Sequence, residues 1–272
     1  MTTTEIISAD LKAVLRRLKL SRMLDTLPER LTLARQQKTA HQDLLLLVLG
    51  DEASRRDSLA ASTRADKAGL DPDSQLERWD QTSKVSYDQM LLNELVSLRF
   101  VDARAHVAIV GPVGVGKTFL AHALGHIACR RNYSVLALRA DKMLKTLKHA
   151  RLDNSYEAEL RRLLAVDVLL VDDFGMDVMD ATESRDAYEI FTERHRAGSI
   201  VVTSNRGPDE WLATFADPVR AQSAIDRFSG NAYDLVIDGE SYRARQKPRL
   251  DSPAMAAPAP AHPNRRRRPS SR

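Results

Sequence analysis

The spacing of apolar side chains divides the sequence into a helical first part and a mixed second part. Between residues 8 and 64, leucine, valine and methionine recur three and four positions apart, as in amphipathic helices. From residue 87 onward, helical stretches alternate with short apolar runs at 107–110, 134–138, 166–171, 199–203 and 233–237. Short buried strands separated by helices predict an α/β domain, a parallel sheet with helices on both faces. A small, all-helical N-terminal domain precedes it.

Composition sets the expected boundaries between these parts. Residues 67–86 combine turn-forming residues with few apolar ones, so we expect a linker between a helical domain at 1–66 and the α/β domain at 87–245. Residues 246–272 contain six of the eleven prolines among alanine, serine and arginine. Proline at this density interrupts helices and sheets, and few bulky apolar side chains remain to be buried, so we expect a disordered basic tail.

Charge is spread unevenly over the 272 residues. The whole chain carries a net charge of +4, but residues 243–272 alone carry +8, which leaves −4 for residues 1–242. The overall basic charge therefore describes the tail, and a basic surface on the folded part requires local clustering. Residues 10–38 form one such cluster, with eight basic and three acidic side chains. This cluster suggests that the N-terminal domain binds DNA or a partner protein, although a solvated helix face explains it equally well.

Cysteine content and hydropathy indicate the compartment. The single cysteine, Cys129, cannot form an intramolecular disulfide, which favours a reducing environment. The longest apolar run, at 44–49, is far too short to span a bilayer. We therefore expect a cytoplasmic protein without a membrane segment.

A phosphate-binding sequence follows the apolar run at 107–110. Residues 111–118 satisfy the pattern G-x-x-x-x-G-K-[ST] between a predicted strand and a predicted helix. Glycines let successive N–H groups converge on phosphate oxygens at the helix N-terminus. Lys117 is expected to reach the β- and γ-phosphates, and Thr118 to place its hydroxyl on Mg²⁺. The expected nucleotide-binding residues are Gly111, Pro112, Val113, Gly114, Val115, Gly116, Lys117, Thr118 and Phe119.

Two adjacent carboxylates end the apolar run at 166–171. The carboxyl ends of parallel strands are where ligands bind in open α/β sheets, so Asp172 and Asp173 are expected near the phosphate loop. Asp172 is the expected Mg²⁺ ligand, and Asp173 the group that orients and polarises the attacking water. The sequence contains no Asn-Lys-x-Asp motif of guanine-specific proteins, so ATP is favoured over GTP.

Two further features allow both a functional and an ordinary structural interpretation. Asn205 follows the apolar run at 199–203, where its amide could contact the γ-phosphate or simply form a turn. Basic residues at three-residue spacing mark a predicted helix at 141–151, a pattern that fits DNA phosphate contacts as well as a solvated helix face. The expected DNA-binding residues are Lys142, Lys145, Lys148 and Arg151.

Five motifs together resemble a known family. They are the phosphate loop, the Leu-Leu-Val-Asp-Asp-Phe-Gly segment at 169–175, Thr-Ser-Asn-Arg with the following Pro208, Glu210 and Trp211, Asp-Arg-Phe at 226–228 and Gly-Glu-Ser-Tyr-Arg at 239–243. The chain resembles IstB-like ATPases, the helper proteins of bacterial insertion sequences, over residues 8–245. These proteins are related to DnaC-type helicase loaders within the AAA+ group. Residues 76–87 depart from the family pattern, since Trp79 and Tyr87 are their only aromatic residues.

The resemblance implies a function and further site residues. It implies a bacterial, Mg²⁺-dependent ATPase that forms a homo-oligomer on double-stranded DNA, with ATP at subunit interfaces, and recruits or stimulates the transposase of the same element. Asn205 becomes the residue that senses the γ-phosphate. Arg227 becomes the arginine finger that acts on the ATP of a neighbouring subunit, with Arg220 or Arg243 as alternatives. Arg243 is in addition a second candidate for a γ-phosphate contact.

Three other functions are compatible with the same residues. A DnaC-like helicase loader would act on a replicative helicase and prefer single-stranded DNA. A non-hydrolysing, ATP-gated DNA scaffold would not use Asp173 or Arg227 in catalysis. A small-molecule kinase is less favoured, because the sequence lacks an evident acceptor-binding domain and the basic helices would have no role.

Overall fold

The N-terminal region consists of three helices. The computed structural model describes residues 7–80, 82 and 84–242, and its first helices are α1 (Ala9–Arg17), α2 (Met23–Gln37) and α3 (His41–Ala68). The side chain of Ser8 caps α1 by accepting the N–H of Leu11, and Gly69 ends α3 with a φ of 75°. A small apolar core joins the helices through Ile7, Leu15, Met23, Leu27 and Val48. The tail expected at 246–272 lies outside the described residues.

The segment 67–86, expected to be a linker, packs against helix α6 (Lys117–Arg130). The backbone N–H of Asp71 donates to Nδ1 of His122 at 2.9 Å, and Nε2 of His126 lies 2.8 Å from the Asp71 carbonyl oxygen. Burial lowers the pKa of His122, which favours the neutral imidazole that can accept this hydrogen bond. The segment also contains a 3₁₀ turn (Leu76–Arg78) and a short strand, β1 (Val85–Ser86). These contacts fix the helical region to α6.

Five parallel strands form the central sheet, as predicted. They are β2 (His106–Val110), β3 (Val135–Arg139), β4 (Val168–Asp172), β5 (Ser199–Ser204) and β6 (Ala232–Val236). Their order in the sheet is β3-β4-β5-β2-β6. The carboxyl ends of β2, β4 and β5 are therefore neighbours at one edge of the sheet. Beside this sheet, β7 (Asp238–Gly239) pairs antiparallel with β1.

Helices cover both faces of the sheet. They are α4 (Gln89–Val96), α5 (Arg99–Asp102), α6, α7 (Ala140–Ala150), α8 (Tyr156–Leu164), α9 (Ala181–Arg194) and α10 (Pro218–Ser229). Alternate residues of β2 point to opposite sides, so Val107 and Ile109 pack with α4–α6 while Ala108 and Val110 pack with α7–α10. No helix of the described chain is both long and apolar enough to cross a membrane.

One predicted helix is divided in two. The sequence pattern predicts a single helix over residues 87–100, whereas the structure ends α4 at Val96 and begins α5 at Arg99. Between them, Leu98 adopts the left-handed conformation with a φ of 62° and is almost fully buried. Burial of this leucine compensates for the backbone strain, a tertiary effect that local periodicity does not report.

Candidate nucleotide-binding site

The phosphate loop lies between β2 and α6, where the sequence predicts it. Gly114 and Gly116 have φ values of 87° and 99°, a region that other residues rarely adopt. A Cβ atom on Gly114 would lie 2.1 Å from Oγ of Ser241, and one on Gly116 would lie 2.6 Å from the ring of Trp79. Val115 is buried beneath the loop, whereas Val113 is exposed at its tip. The glycines are thus required by both backbone conformation and close packing.

The first residues of α6 face the end of β4. Nζ of Lys117 donates to the carbonyl oxygens of Gly111 and Pro112 at 2.8 and 2.7 Å, so the ammonium group lies over the loop. Oγ1 of Thr118 donates to Oδ1 of Asp172 at 2.8 Å. The side chains of the expected phosphate ligand and the expected Mg²⁺ ligands are therefore together at the N-terminus of a 14-residue helix.

The two carboxylates have different surroundings. Asp172 is buried and accepts hydrogen bonds from the hydroxyls of Thr118 and Thr203. Asp173 is partly exposed and has a φ of 57°, and its N–H donates to Oγ1 of Thr203 at 3.0 Å. A non-glycine residue in this conformation is uncommon, and such strain is often found at functional sites. Thr203 ends the apolar run before Asn205 and was not expected at the site, yet its hydroxyl donates to the Asp172 carboxylate and accepts the N–H of Asp173.

Asn205 follows β5 at the same edge of the sheet. Its Nδ2 lies 3.0 Å from Sδ of Met176, in the segment that follows the two carboxylates. The neighbouring Ser204 donates to the carbonyl oxygen of Phe174 and accepts from Nε1 of the fully buried Trp211. These bonds link the segment after β4 to the segment after β5, so Asn205 lies beside the carboxylate segment; its described side-chain hydrogen bond goes to Met176 and not to a carboxylate.

An aromatic cluster, of which only Phe119 was expected at the site, borders the phosphate loop. Trp79 packs on Gly116 and lies with its ring centroid 5.4 Å from that of Phe119, and its Nε1 donates to Oη of Tyr87 at 3.1 Å. Next to it is a cavity of about 490 Å³. Its lining residues include Leu76, Trp79, Val85, Tyr87, Leu92 and Val96. Trp79 and Tyr87, the two aromatic residues of segment 76–87, therefore contact each other beside the phosphate loop.

The C-terminal motif also contacts the phosphate loop. The N–H of Tyr242 donates to the carbonyl oxygen of Gly114 at 2.9 Å, and the N–H of Glu240 donates to that of Lys84 at 3.2 Å. Together with the β1–β7 pairing, these bonds bring the segment 239–242 onto the loop. Arg243, expected at the γ-phosphate, lies outside the described residues.

Arg227 lies at the amino-terminal ends of the strands, whereas the phosphate loop lies at their carboxyl ends. It is near the end of α10, just before β6. Four residues later, the carbonyl oxygen of Asn231 accepts the N–H of His106, which is at the start of β2, so Arg227 is close to the amino end of that strand. A five-residue strand such as β2 separates the two edges by roughly 16 Å. The guanidinium of Arg227 donates to the carbonyl and hydroxyl oxygens of Ser223. Arg220 lies in the first turn of α10 and pairs with Asp217 at 3.4 Å.

The four basic residues expected to bind DNA, on α7 and just after it, fall into two groups. Lys142 and Lys145 are exposed, and Nζ of Lys145 lies 3.7 Å from a carboxylate oxygen of Asp141. The other two are paired with acidic residues from the chain beyond β4. Lys148 donates to Asp180 at 2.7 Å, and Arg151 pairs with the buried Asp186 and stacks 3.7 Å from the ring centre of Tyr156. Arg151 therefore has a clear structural role.

Comparison with known proteins identifies the family. The sequence matches the family described as IstB-like ATP binding protein over residues 13–250. It is 37% identical over 239 residues to an insertion-sequence ATP-binding protein of Mycobacterium tuberculosis, covering 88% of this chain and 95% of that protein. An ATP-binding protein of insertion sequence IS21 from Pseudomonas aeruginosa is 32% identical over 238 residues, covering 88% of this chain and 90% of its own length.

Solved structures share the fold. DnaI has a TM-score of 0.52 and 23% identity, over 60% of this chain and 90% of that one. Domain III of the replication initiation protein DnaA from Thermotoga maritima has a TM-score of 0.51 and 21% identity, over 63% of this chain and 68% of that one. These likenesses confirm the predicted AAA+ fold. With its phosphate loop intact and its match over residues 13–250, the chain belongs to the IstB-like family of ATP-binding proteins.

Proposed function

We propose that this protein hydrolyses ATP, assembles with copies of itself on double-stranded DNA, and recruits or stimulates the transposase of the same insertion sequence. The supporting observation is the distance between Arg227 and the phosphate loop of its own chain, since the two lie at opposite edges of the sheet. An arginine finger at that place could act only on ATP held by a neighbouring copy. A head-to-tail contact between copies joins opposite edges in this way.

The residues at the carboxyl edge suit hydrolysis. Lys117 and the loop N–H groups would neutralise and orient the phosphates, while Asp173 would orient the attacking water. Thr118 and Asp172 would hold Mg²⁺, because the ion commonly takes one or two protein ligands together with phosphate oxygens. Bound there, Mg²⁺ would neutralise charge that develops on the phosphates. Asn205 would complete the site from the end of β5.

The cavity beside Trp79 and Tyr87 suits the adenine base. Its volume of about 490 Å³ lies within the range of small-molecule pockets, and its walls combine apolar and aromatic side chains with Gln89 and Asn93. The contact between Trp79 and Gly116 places this cavity next to the phosphate loop. We therefore propose that Trp79 and Tyr87 contact the base, which explains how a segment with only two aromatic residues still provides a base pocket.

The insertion-sequence relatives support a role beside a transposase. The proteins from Mycobacterium tuberculosis and Pseudomonas aeruginosa are both described as ATP-binding proteins of insertion sequences. The similarity to DnaI, at 23% identity, extends to the fold and gives no reason to prefer a helicase as partner.

ATP turnover measured with no DNA, duplex DNA and single-stranded DNA tests this proposal. We expect slow turnover alone, a rise with duplex DNA, and a further effect of the purified transposase. Lys117→Ala should abolish ATP binding and turnover, because it removes the ammonium group that lies over the loop where the phosphates would bind. Stimulation by single-stranded DNA alone would favour a helicase loader. Turnover that stays at the same background level in the natural protein and in Asp173→Asn would favour a non-hydrolysing scaffold.

The exposed lysines of α7 provide a test of DNA contact. Replacing both Lys142 and Lys145 with alanine should weaken duplex binding and reduce the slope of log affinity against log salt by about 2, since each phosphate contact contributes roughly 0.9. Adding Lys148→Ala to the double variant should reduce the salt slope by less than either of the first two replacements, because Lys148 already pairs with Asp180. ATP binding without DNA should not change.

The control for this test is Arg162→Ala on α8, an exposed residue that pairs only with Glu159 one turn away among its described contacts. Its salt slope should equal that of the natural protein. Arg151→Ala is a poor probe, because it leaves the buried carboxylate of Asp186 without its cation and should lower the unfolding temperature. An unchanged salt slope in the Lys142 and Lys145 double variant would contradict DNA contact along α7.

A further inference from the structure

The amino-terminal ends of the strands carry two further arginines beside Arg227. Arg104 precedes β2 and Arg196 precedes β5, and both residues are exposed. In the sheet, β2 lies between β5 and β6, and neighbouring strands are about 4.8 Å apart. The turns that carry the three arginines therefore lie side by side at the amino edge of the sheet.

Hydrogen bonds join these three turns into one unit. Nη1 of Arg104 donates to the carbonyl oxygen of Arg196 at 2.9 Å, and Nδ1 of the adjacent His195 lies 3.0 Å from the carbonyl oxygen of Arg227. Nδ2 of Asn231 donates to the carbonyl oxygen of Arg104 at 3.0 Å. These bonds hold Arg196 in a fixed relation to Arg227.

The backbone conformation at Arg104 and Arg196 is unfavourable for arginine. Their φ values are 52° and 64°, in the left-handed region that favours glycine. The side chain of Arg104 offsets this strain with its hydrogen bond, whereas the side chain of Arg196 takes part in no hydrogen bond or ion pair with the described residues. Contacts within the described part of one copy therefore do not account for an arginine at position 196.

The charges of this surface suit an anionic partner. None of the three arginines forms an ion pair with a carboxylate of the described chain, although Glu193 and Asp226 are close to them in sequence. Guanidinium groups pair well with phosphate oxygens. The phosphate loop lies at the other ends of the same strands, so a head-to-tail contact would bring the amino edge of one copy to the ATP of the next.

We propose that Arg104, Arg196 and Arg227 form one basic surface that docks on the ATP-loaded carboxyl edge of a second copy, where Arg196 gives the phosphates a second arginine. The inference rests on the proposed function, because it requires copies that assemble around ATP. DNA suits this surface less well. The lysines proposed to contact DNA, Lys142 and Lys145, lie in the first two turns of α7, which begins at the carboxyl end of β3.

The test is Arg196→Gly, which removes the side chain and also relieves the backbone strain. The unfolding temperature of the unassembled protein should not fall, because this relief offsets the greater freedom of glycine in the unfolded chain. The protein concentration for half-maximal assembly on duplex DNA with a slowly hydrolysed ATP analogue should rise about tenfold, as expected for loss of a hydrogen bond to a charged group. ATP affinity of the unassembled protein should not change.

Two variants serve as comparisons. Arg196→Lys retains the positive charge and should recover part of the assembly, but not all of it, because lysine lacks the planar fork of arginine. Arg162→Ala removes an exposed arginine of α8 that pairs with Glu159, outside this surface, and should assemble like the natural protein.

The outcomes separate this inference from the proposed function. If the natural protein assembles and Arg196→Gly assembles equally well, or loses unfolding temperature together with assembly, the role of Arg196 is contradicted and the proposed function stands. The same holds if assembly without nucleotide is weakened to the same extent, or if Arg196→Gly reduces the salt slope of DNA binding below the concentration of assembly. If the natural protein does not assemble with the ATP analogue and duplex DNA, both are overturned.

Discussion

Replacing Arg227 with alanine is expected to leave ATP binding intact and to reduce DNA-stimulated turnover by roughly 10³- to 10⁵-fold, the range known for arginine fingers supplied in trans. Binding should survive because Arg227 lies at the amino edge of the sheet, away from its own phosphate loop. ATP affinity measured by titration and turnover measured under saturating ATP and duplex DNA check the two parts. The conservative variant Arg227→Lys should recover little, because lysine lacks the planar fork of arginine.

Mixing two inactive variants distinguishes a shared site from a site within one chain. Lys117→Ala lacks the lysine proposed to bind ATP but retains Arg227, whereas Arg227→Ala should bind ATP but lacks the proposed finger. In an equal mixture, about one quarter of head-to-tail contacts should pair an intact loop with an intact Arg227, and turnover should recover accordingly. No recovery, together with unchanged assembly, would contradict a finger acting in trans. Full turnover by Arg227→Ala alone would point instead to Arg220 or Arg243.

Asp173→Asn is expected to lower ATP turnover by about 10²- to 10⁴-fold while ATP affinity changes little, since an amide cannot polarise water as a carboxylate does. The residue is partly exposed, and its backbone hydrogen bond to Thr203 does not depend on the side chain, so folding should be retained. Single-turnover measurements with prebound ATP report the chemical step directly.

The matched control is Asp177→Asn, an exposed carboxylate four residues further along the chain. It removes the same charge without touching the phosphate loop, so its turnover should remain close to that of the natural protein. Equal losses in the two variants would mean that Asp173 acts only through the charge of the segment. Asp172→Asn should behave differently from both, because Asp172 is buried and bonded to Thr118. Loss of this proposed Mg²⁺ ligand should raise the Mg²⁺ concentration needed for half-maximal turnover.

The sequence predicted those parts of the site that depend on local pattern and sheet topology. The spacing of the loop glycines predicts the backbone conformation that they adopt, and Lys117 and Thr118 are the first two residues of the helix that follows. The apolar run before Asp172 and Asp173 is a parallel strand, so its end had to lie near the loop once the sheet formed. The parallel sheet with helices on both faces is the α/β fold that the sequence predicted.

Other parts depend on contacts between residues far apart in the chain. Trp79 reaches Gly116 only because the segment after α3 folds back along α6. Periodicity predicted four basic residues along a helix at 141–151, but it could not show that Asp180 and Asp186, at the start of the neighbouring helix α9, pair with two of them. Such pairings follow from tertiary packing, and no local spacing in the sequence records them.

Electron microscopy of the protein with duplex DNA and a slowly hydrolysed ATP analogue tests the central proposal, an ATP site shared between copies assembled on DNA, most directly. We predict that Arg227 of one copy will lie at the γ-phosphate held by Lys117 of the next, with Lys142 and Lys145 along the DNA backbone. A monomer on DNA, or an assembly that leaves Arg227 in solvent away from every nucleotide, would contradict the proposal.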